Sequence, residues 1–516
     1  EIGVRLVGSE MCIRDRAAYD GFRKVIAREF AEIWVFDLGG DVRDNPKLSG
    51  TKHNVFGIQT GVAMMFLVKK KGHKGGAVIR YARRPEMETA EDKLQWISSI
   101  GGLRQLQVET IQPNRKNDWL NLTDNNWDEL LPLVQPGQQE LRPASHERTV
   151  FGLMSNGLQT KRDEWVYDID RSRVEAKAAF LIQGYEATRK DPDSAAKSQI
   201  KWDADLQRHA TRGVAKSLDR SVIRQAEYRP FSRRWVFFDR HFNSRTFQLR
   251  ETFGFGANAS INFSDPGAQK PWMVLATELI PDLHLVGAAA ATTAAPFSRF
   301  TTDGTRLDNI TDWALKSFTD RYGKAAAITK DDIFAYVYAV LHDPVYRETY
   351  ALNLKREFPR IPLYPDFRRW RDWGQALLDL HIGYQAVEPH PLTRTDAPDP
   401  KRAEGTTPAV KLKSDPDKGV VVLDADTQLS GIPTEAWRYR LGNRSAIDWV
   451  LDQHKEKTPK DPTIREKFNT YRFVDYKETV IDLLARVVTV SLQTLAVTDA
   501  MADLPTSARE QKKVEA

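Results

Sequence analysis

Apolar residues recur along this chain with two different periods, and each change of period marks an element. Phe22, Val25, Ile26 and Phe30 step by three and four and predict a helix. IWVFDLGG at 33–40 then reads as a buried strand running into a glycine turn. After the polar loop DVRDNPKLSGTKH comes NVFGIQTGVAMMFLVKK. Its continuous apolar run at 62–68 stops at three lysines, the pattern of a central strand covered on both faces. Helix, strand, loop and strand predict an α/β sheet over 17–71.

Further on, Leu94, Ile97 and Ile100 place a helix in 90–103. Residues 113–143, rich in Asn, Pro, Gln and Trp, read as a connector: either a surface loop of no special function, or one in which Asn126 or Asp128 starts a short turn and Trp127, Leu130 and Leu131 close it against the sheet. Residues 171–189 and 203–224 read as charged outer helices, and 265–284 as apolar strands broken by prolines. FGFGAN at 253–258 is a turn. Thr329 and Asp332 have capping-box spacing ahead of Ile333, Tyr336, Val337, Val340 and Leu341 on one helical face, which Pro344 interrupts. The tyrosines there and His342 read as packing and turn residues. A strand is expected at 420–423, a second capping box at Thr463 and Glu466, and a late helix carrying Ile481, Leu484, Val488, Leu492 and Leu495 on its docking face.

One stretch departs from ordinary core patterning. YRPFSRRWVFFDRHFNSRTFQLR at 228–250 holds six arginines, seven aromatic side chains and a single acid. Trp235 and Phe237 alternate with Val236 and Phe238, so residues 234–239 form a strand with both faces covered. Arg229, Arg233, Arg234, Arg240 and Arg245 surround it. Rigidly held arginines can fork onto phosphate oxygens or a guanine edge; the competing reading is a core strand with ordinary solvated arginines. A second basic loop, SNGLQTKRDEW at 155–165, sets Asn156, Gln159, Lys161 and Arg162 around a glycine. Amide forks and cations on a loop are the chemistry of base readout; alternatively Arg162 and Asp163 pair locally and shape the turn.

The 516 residues suffice for about three domains. A formal charge of +6 permits a polyanionic partner without requiring one, so only local clusters decide. Cys12 is the sole cysteine, which excludes a disulfide framework and a thiolate zinc site and leaves a cytoplasmic location as the expectation. No run of about 18 apolar residues occurs; the longest apolar piece is read around 286–295, and no membrane partner is expected. Neither the glycine-rich cofactor turn nor the Asn/Asp-Pro-Pro-aromatic tetrapeptide of adenine methylation is present. Asn45 and Pro46 are followed by Lys47, and no P-loop occurs. The opening EIGVRLVGSEMCIRDR lacks an initiating methionine, resembles a translated sequencing adapter, and is set aside, with Cys12, from fold reasoning.

IWVFDLGG followed by NVFGIQTGVAMMFLVKK resembles the last strands of the methyltransferase domain in Type ISP restriction-modification enzymes, a family of DNA-adenine methyltransferases. SNGLQTKRDEWVYD (155–168), YRPFSRRWVFFD (228–239), YAVLHDPVYRETY (338–350), FPRIPL (358–363), YRLGNRSAIDWVLDQ (439–453) and TIREKFNTYRFVDYK (463–477) resemble, in the same order, that family's C-terminal specificity region. The resemblance implies an α/β chain: the C-terminal strands of a Rossmann-like methyltransferase sheet, then a mixed α+β target-recognition domain with a helical C-terminal part. The expected divisions are 1–16 non-native, 17–105 methyltransferase remnant, 106–144 connector, 145–390 target recognition, 391–418 surface segment and 419–516 mostly helical. It further implies sequence-specific binding of double-stranded DNA, with Asn156, Gln159, Lys161, Arg162, Arg229, Arg233, Arg234, Arg240 and Arg245 as contacts. Phe56 takes the place of the aromatic that stacks on an extruded base, the other reading being plain core. No catalytic residue, metal or cofactor is expected on this chain, and no obligatory protein partner. S-adenosylmethionine, ATP and Mg belong to a full-length adenine-N6 methylating protein with an upstream nuclease and motor. The alternatives are a freestanding DNA-specificity subunit and a single-stranded RNA-binding protein.

Overall fold

A computed structural model of the chain describes residues 5–7, 19–40, 51–58, 60–85, 87–103, 106–113, 117–120, 125–134 and 148–509. Cys12 and Asn45 to Lys47 lie outside them. The chain divides into two units, Glu1–Asn125 and Asn126–Ala516. The mixed α/β architecture expected from the sequence is the one found.

The first unit is a five-stranded sheet. Its elements in chain order are β1 (Arg5–Val7), α1 (Asp20–Glu29), β2 (Glu32–Gly39), β3 (Val62–Val68), β4 (Val78–Arg83), α2 (Ala90–Ser99) and β5 (Glu109–Ile111), and the strand order is β1-β3-β2-β4-β5. Residues 5–7, set aside on sequence grounds, pair with β3 as its edge neighbour. Strand β2 runs antiparallel to β3 and parallel to β4. Ile33 and Val35 face a core with Ile26 and Trp119, while Phe36 meets Phe66 and Trp96 on the other face. Two helix faces differ from the apolar pattern. In α1, Val25 is 51% exposed while Arg23 is buried, its guanidinium bonded to Asp118 and the Asn117 carbonyl. In α2, Lys93 replaces Leu94 inside and donates to the His53 carbonyl at 2.7 Å. A buried cation with its donors satisfied is tolerated where a hydropathy count forbids it.

In the second unit the elements that frame the site are β6 (Ser155–Asn156), β7 (Tyr167–Asp168), α3 (Arg171–Lys190), β8 (Ile223–Arg229), β9 (Ser232–Phe237), β10 (Ser260–Ser264), β11 (Val274–Thr277), β12 (Ile280–Pro281) and β13 (Thr292–Pro296). They form two four-stranded sheets, β12-β8-β9-β7 and β11-β10-β13-β6. Helix α3 is not an outer helix. Val174, Leu181 and Tyr185 bury it against Val236 and Phe237 of the first of these sheets. The segment 203–224 holds a short helix, Ala204–Thr211, and a 3-10 turn, Arg220–Val222, before the chain enters β8 at Ile223. Trp127 and Leu130 enter the second unit's core, with the Trp127 ring 5.1 Å from Tyr350.

Helix α4 (Lys330–His342) carries the expected capping box at Thr329 and Asp332 and is buried on every side from Ile333 onward. It packs on α5 (Phe367–Ile382), where Gly374 lets the backbones touch: a Cβ there would stand 1.7 Å from the Ala335 carbonyl oxygen. His342 is buried in the last turn of α4 with Nδ1 at the Tyr338 carbonyl. The surface segment carries two strands, Thr393–Asp396 and Val410–Asp415, of a four-stranded sheet that includes the expected strand at Val420–Asp424. The second capping box does not form; Asp461 caps that helix instead, with Pro462 at its first position. Helix α6 (Ala446–Gln453) and the last helix, α7 (Lys477–Ala502), close the unit. By length and composition α7 could cross a membrane, which the sequence reading had placed nowhere. Leu484 and Val488 of the expected docking face are buried, and Ile481, Leu492 and Leu495 pack half-buried against the same core; Val480, Val487, Ser491 and Thr494 widen the buried stripe.

Candidate nucleic-acid interface

The arginine and aromatic stretch folds as a hairpin whose turn is inside the protein. Strands β8 and β9 pair antiparallel around Pro230 and Phe231. Phe231 takes a left-handed φ of +56°, a strained conformation for a bulky residue. Burial holds it there: its ring is 1% exposed and lies 5.2 Å from Tyr384 and 6.3 Å from Tyr439.

Three of the six arginines in this stretch turn inward. Arg229 lies over the Tyr228 ring at 3.9 Å and pairs with buried Asp282 at 2.8 Å. Arg233 covers Tyr384 and donates to Gln385 and to the Ile382 carbonyl. Arg234 donates to the Gln453 carbonyl at 2.7 Å. Arg162, in the other loop, is 2% exposed, pairs with Asp203 at 2.7 Å and donates to the Phe242 carbonyl. Arg162, Arg229, Arg233 and Arg234, which the sequence suggests as DNA contacts, therefore spend these donors on the protein's own groups and brace the fold. The physical reason is that guanidinium groups sandwiched in a core must spend their donors on local carboxylates and carbonyls. The local pair expected for Arg162 does not form either. Asp163 accepts from Thr160 and from the Tyr228 hydroxyl.

Of the remaining predicted contacts, Gln159 and Arg245 meet on one ledge. Gln159 and Arg245 exchange both backbone hydrogen bonds, at 3.0 and 2.9 Å, which joins the 156–162 loop to the segment after β9. Gly157 makes the junction possible, since a Cβ there would lie 2.4 Å from the Asp282 carbonyl oxygen. Lys161 is exposed at the tip with φ +57°, and Arg240 is exposed on the other segment. The Arg245 side chain is 59% exposed and 3.3 Å from Asp205, a half-solvated pair that holds it weakly. Asn243 braces the segment by donating to the Phe237 and Asp239 carbonyls. Asn156 sits half-buried in β6 opposite Thr293.

Buried acids lie beneath this ledge. Burial pushes the Asp282 carboxyl up, although Arg229 draws it down. Burial likewise raises Glu227 to about 7, against the opposing pull of Arg233 and the hydrogen bond from the Ser232 amide. In the first unit, Phe56 is 65% exposed in a turn six residues before β3, where Asn54 accepts from its amide at 3.0 Å. Its reading as plain core is thereby overturned. Sequence reasoning also passed over Lys270, Arg444 and Lys457, which line one cavity. They come from separate segments of the sequence, so no linear signal groups them.

Residues 149–483 match the family model of the Type ISP C-terminal specificity domain. Nothing among the curated proteins matches the chain. Among solved structures it is similar to the protein of a cryo-EM DrdV–DNA complex, with 39% identity and a TM-score of 0.79 over 98% of this chain and 50% of that one. It is also similar to a nuclease-deletion mutant of the Type ISP restriction-modification enzyme LlaGI in complex with a DNA substrate mimic, with 27% identity, TM-score 0.72 and coverage of 98% and 46%. A third structure, the ATP-dependent Type ISP restriction-modification enzyme LlaBIII bound to DNA, shares the fold at 22% identity and TM-score 0.74, with coverage of 98% and 33%. The chain thus spans half the length of these proteins or less.

Proposed function

The chain belongs to the Type ISP C-terminal specificity domain family, and from that premise we propose that its second unit reads a double-stranded DNA sequence for a restriction-modification enzyme. The observation that carries this reading is the DNA complex of the 39% identical DrdV protein, which aligns with 98% of the chain. The first unit supplies the closing strands of an adenine-N6 methyltransferase sheet. The turn holding Phe56 in solvent supports a place for that ring against an extruded base, where stacking offsets an unstacking cost of a few kcal/mol. S-adenosylmethionine, ATP and Mg act on parts of the enzyme beyond this chain, and the enzyme works in the cytoplasm.

On the ledge the roles divide by reach. Arg240 and Arg245 meet phosphates and fix register, releasing counterions as they bind. Lys161, Gln159 and Asn156 approach base edges, where an amide fork reads adenine and a lysine reads guanine at about 1 to 3 kcal/mol each. The buried arginines hold the ledge in place and contact no DNA.

Competition binding of the 516-residue chain against a randomised duplex library tests this. A defined duplex preference is expected, relaxed at particular base pairs by Lys161→Ala with Gln159→Ala, while Arg240→Ala with Arg245→Ala weakens all sequences alike. Absence of any duplex preference, or tighter binding to single-stranded RNA, overturns the reading.

A further inference from the structure

A cavity of 280 Å³ opens beside the buried hairpin turn, lined by Tyr228, Gly287, Ala288 and Trp449 together with charged side chains. Four of those are Arg229, Lys270, Arg444 and Lys457, drawn from distant parts of the sequence. Arg229 is neutralised by Asp282. The others have far less anionic partnering. Asp452 stands 2.8 Å from Arg444, 3.3 Å from Lys457 and 3.7 Å from Lys455, so one carboxylate serves three cations. Burial pushes the Asp452 carboxyl up, yet Lys457 and Arg444 outweigh it and hold it below the usual range. Lys270 pairs with no carboxylate among the described residues and donates to the Val286 carbonyl. Burial first, then Arg444 and Arg229, depress its pKa, as an electropositive cavity requires.

The wall is built to keep these groups in place. Gly287 has φ +86°, and a Cβ there would come within 2.7 Å of the Lys270 Nζ and displace it. The Arg444 guanidinium lies over the Trp449 ring at 4.9 Å, and Trp449 is fixed by its own bond to the Leu441 carbonyl. A stacked guanidinium presents its donors in a set plane, the geometry that suits a phosphate.

We propose that this cavity is a phosphate-binding site and that its occupant is a backbone phosphate of duplex DNA, an assignment that rests on the proposed reading of the second unit. The backbone is favoured over a free anion by the continuation of the charge. Lys455, 3.7 Å from the Asp452 carboxylate of this cavity, lines a second cleft with Lys411, Arg472 and Glu456, so basic side chains continue beyond the cavity. The Lys457 side chain, 60% exposed, stands at the rim.

The test uses the 516-residue chain, acylated at lysine with and without duplex DNA and analysed by mass spectrometry. A parallel arm uses inorganic phosphate at the same ionic strength. Duplex is expected to protect Lys270 and Lys457, and phosphate is not. Lys457→Gln should lower the slope of log affinity against log salt by about 1, and Lys457→Gln with Arg444→Gln by about 2. Equal protection by inorganic phosphate overturns the backbone assignment. Tight duplex binding with both lysines still labelled and an unchanged slope overturns the site while leaving the reading of the second unit intact. No duplex binding by the unaltered chain overturns both.

Discussion

Neighbouring residues of this chain have opposite duties, and Lys161 and Arg162 show it most clearly. Arg162 is buried against Asp203, whereas Lys161 is exposed at a left-handed φ. Arg162→Ala should cost about 3 kcal/mol in chemical denaturation, because it leaves the partner carboxylate uncompensated. Lys161→Gly should leave stability equal or up to about 1 kcal/mol higher, since glycine takes that φ without strain, while duplex discrimination falls. The reverse order of stabilities would exchange their roles. Buried titratable groups make a separate prediction. Glu227 titrates near 7 in the folded protein against 4.5 for an ordinary glutamate, so between those values the folded state holds the proton and stability falls as pH rises. His381 and His454 are pushed down by burial to about 3 and about 4; below their ordinary 6.5 the unfolded state takes up protons first, and stability falls as pH drops. Glu227→Gln removes only the first effect. Its stability relative to the unaltered chain should therefore rise between pH 4.5 and 7.5, by on the order of 3 kcal/mol. A pH-independent difference would show that Glu227 is not held protonated.

At the scale of elements, the second unit depends on close backbone approaches that glycine alone allows. Helices α4 and α5 meet at Gly374, where a Cβ would overlap the Ala335 carbonyl oxygen at 1.7 Å. Gly374→Ala should force the helices apart and cost at least about 3 kcal/mol, seen as a lowered denaturation midpoint. Little or no shift would mean that the crossing can relax. The same logic governs the loop at Gly157, but there the helix pair is replaced by a strand end and the Asp282 carbonyl. Amphipathic patterns located α1 and α2 yet misjudged their faces, because Arg23 and Lys93 find hydrogen-bond acceptors inside.

For the whole molecule, the decisive question is where the second unit begins. Trp127, Leu130, Leu133 and Val134 belong to its largest core, and Leu131–Pro132 pairs with Arg360–Ile361. Residues 126–516 should therefore fold with a cooperative thermal transition and retain duplex binding. Residues 145–516, which begin where the sequence pattern changes, should melt lower or fail to fold. Equal melting of the two would show that 126–134 only decorates the surface.

The sequence by itself determined the α/β class, the strand at 62–68 to the residue, the Thr329 cap and the family resemblance, because each rests on periodicity, local hydrogen bonding or residue order. It also singled out the 155–165 loop and the 228–250 stretch, which the fold joins at Gln159 and Arg245. Only the tertiary structure decided which basic residues face outward. A guanidinium is equally at home in water or sandwiched between Tyr228 and Asp282, and the choice depends on a carboxylate 53 positions away in the chain. The cavity of Lys270, Arg444 and Lys457 was illegible for the same reason: charge that gathers by folding leaves no run in the sequence to be read.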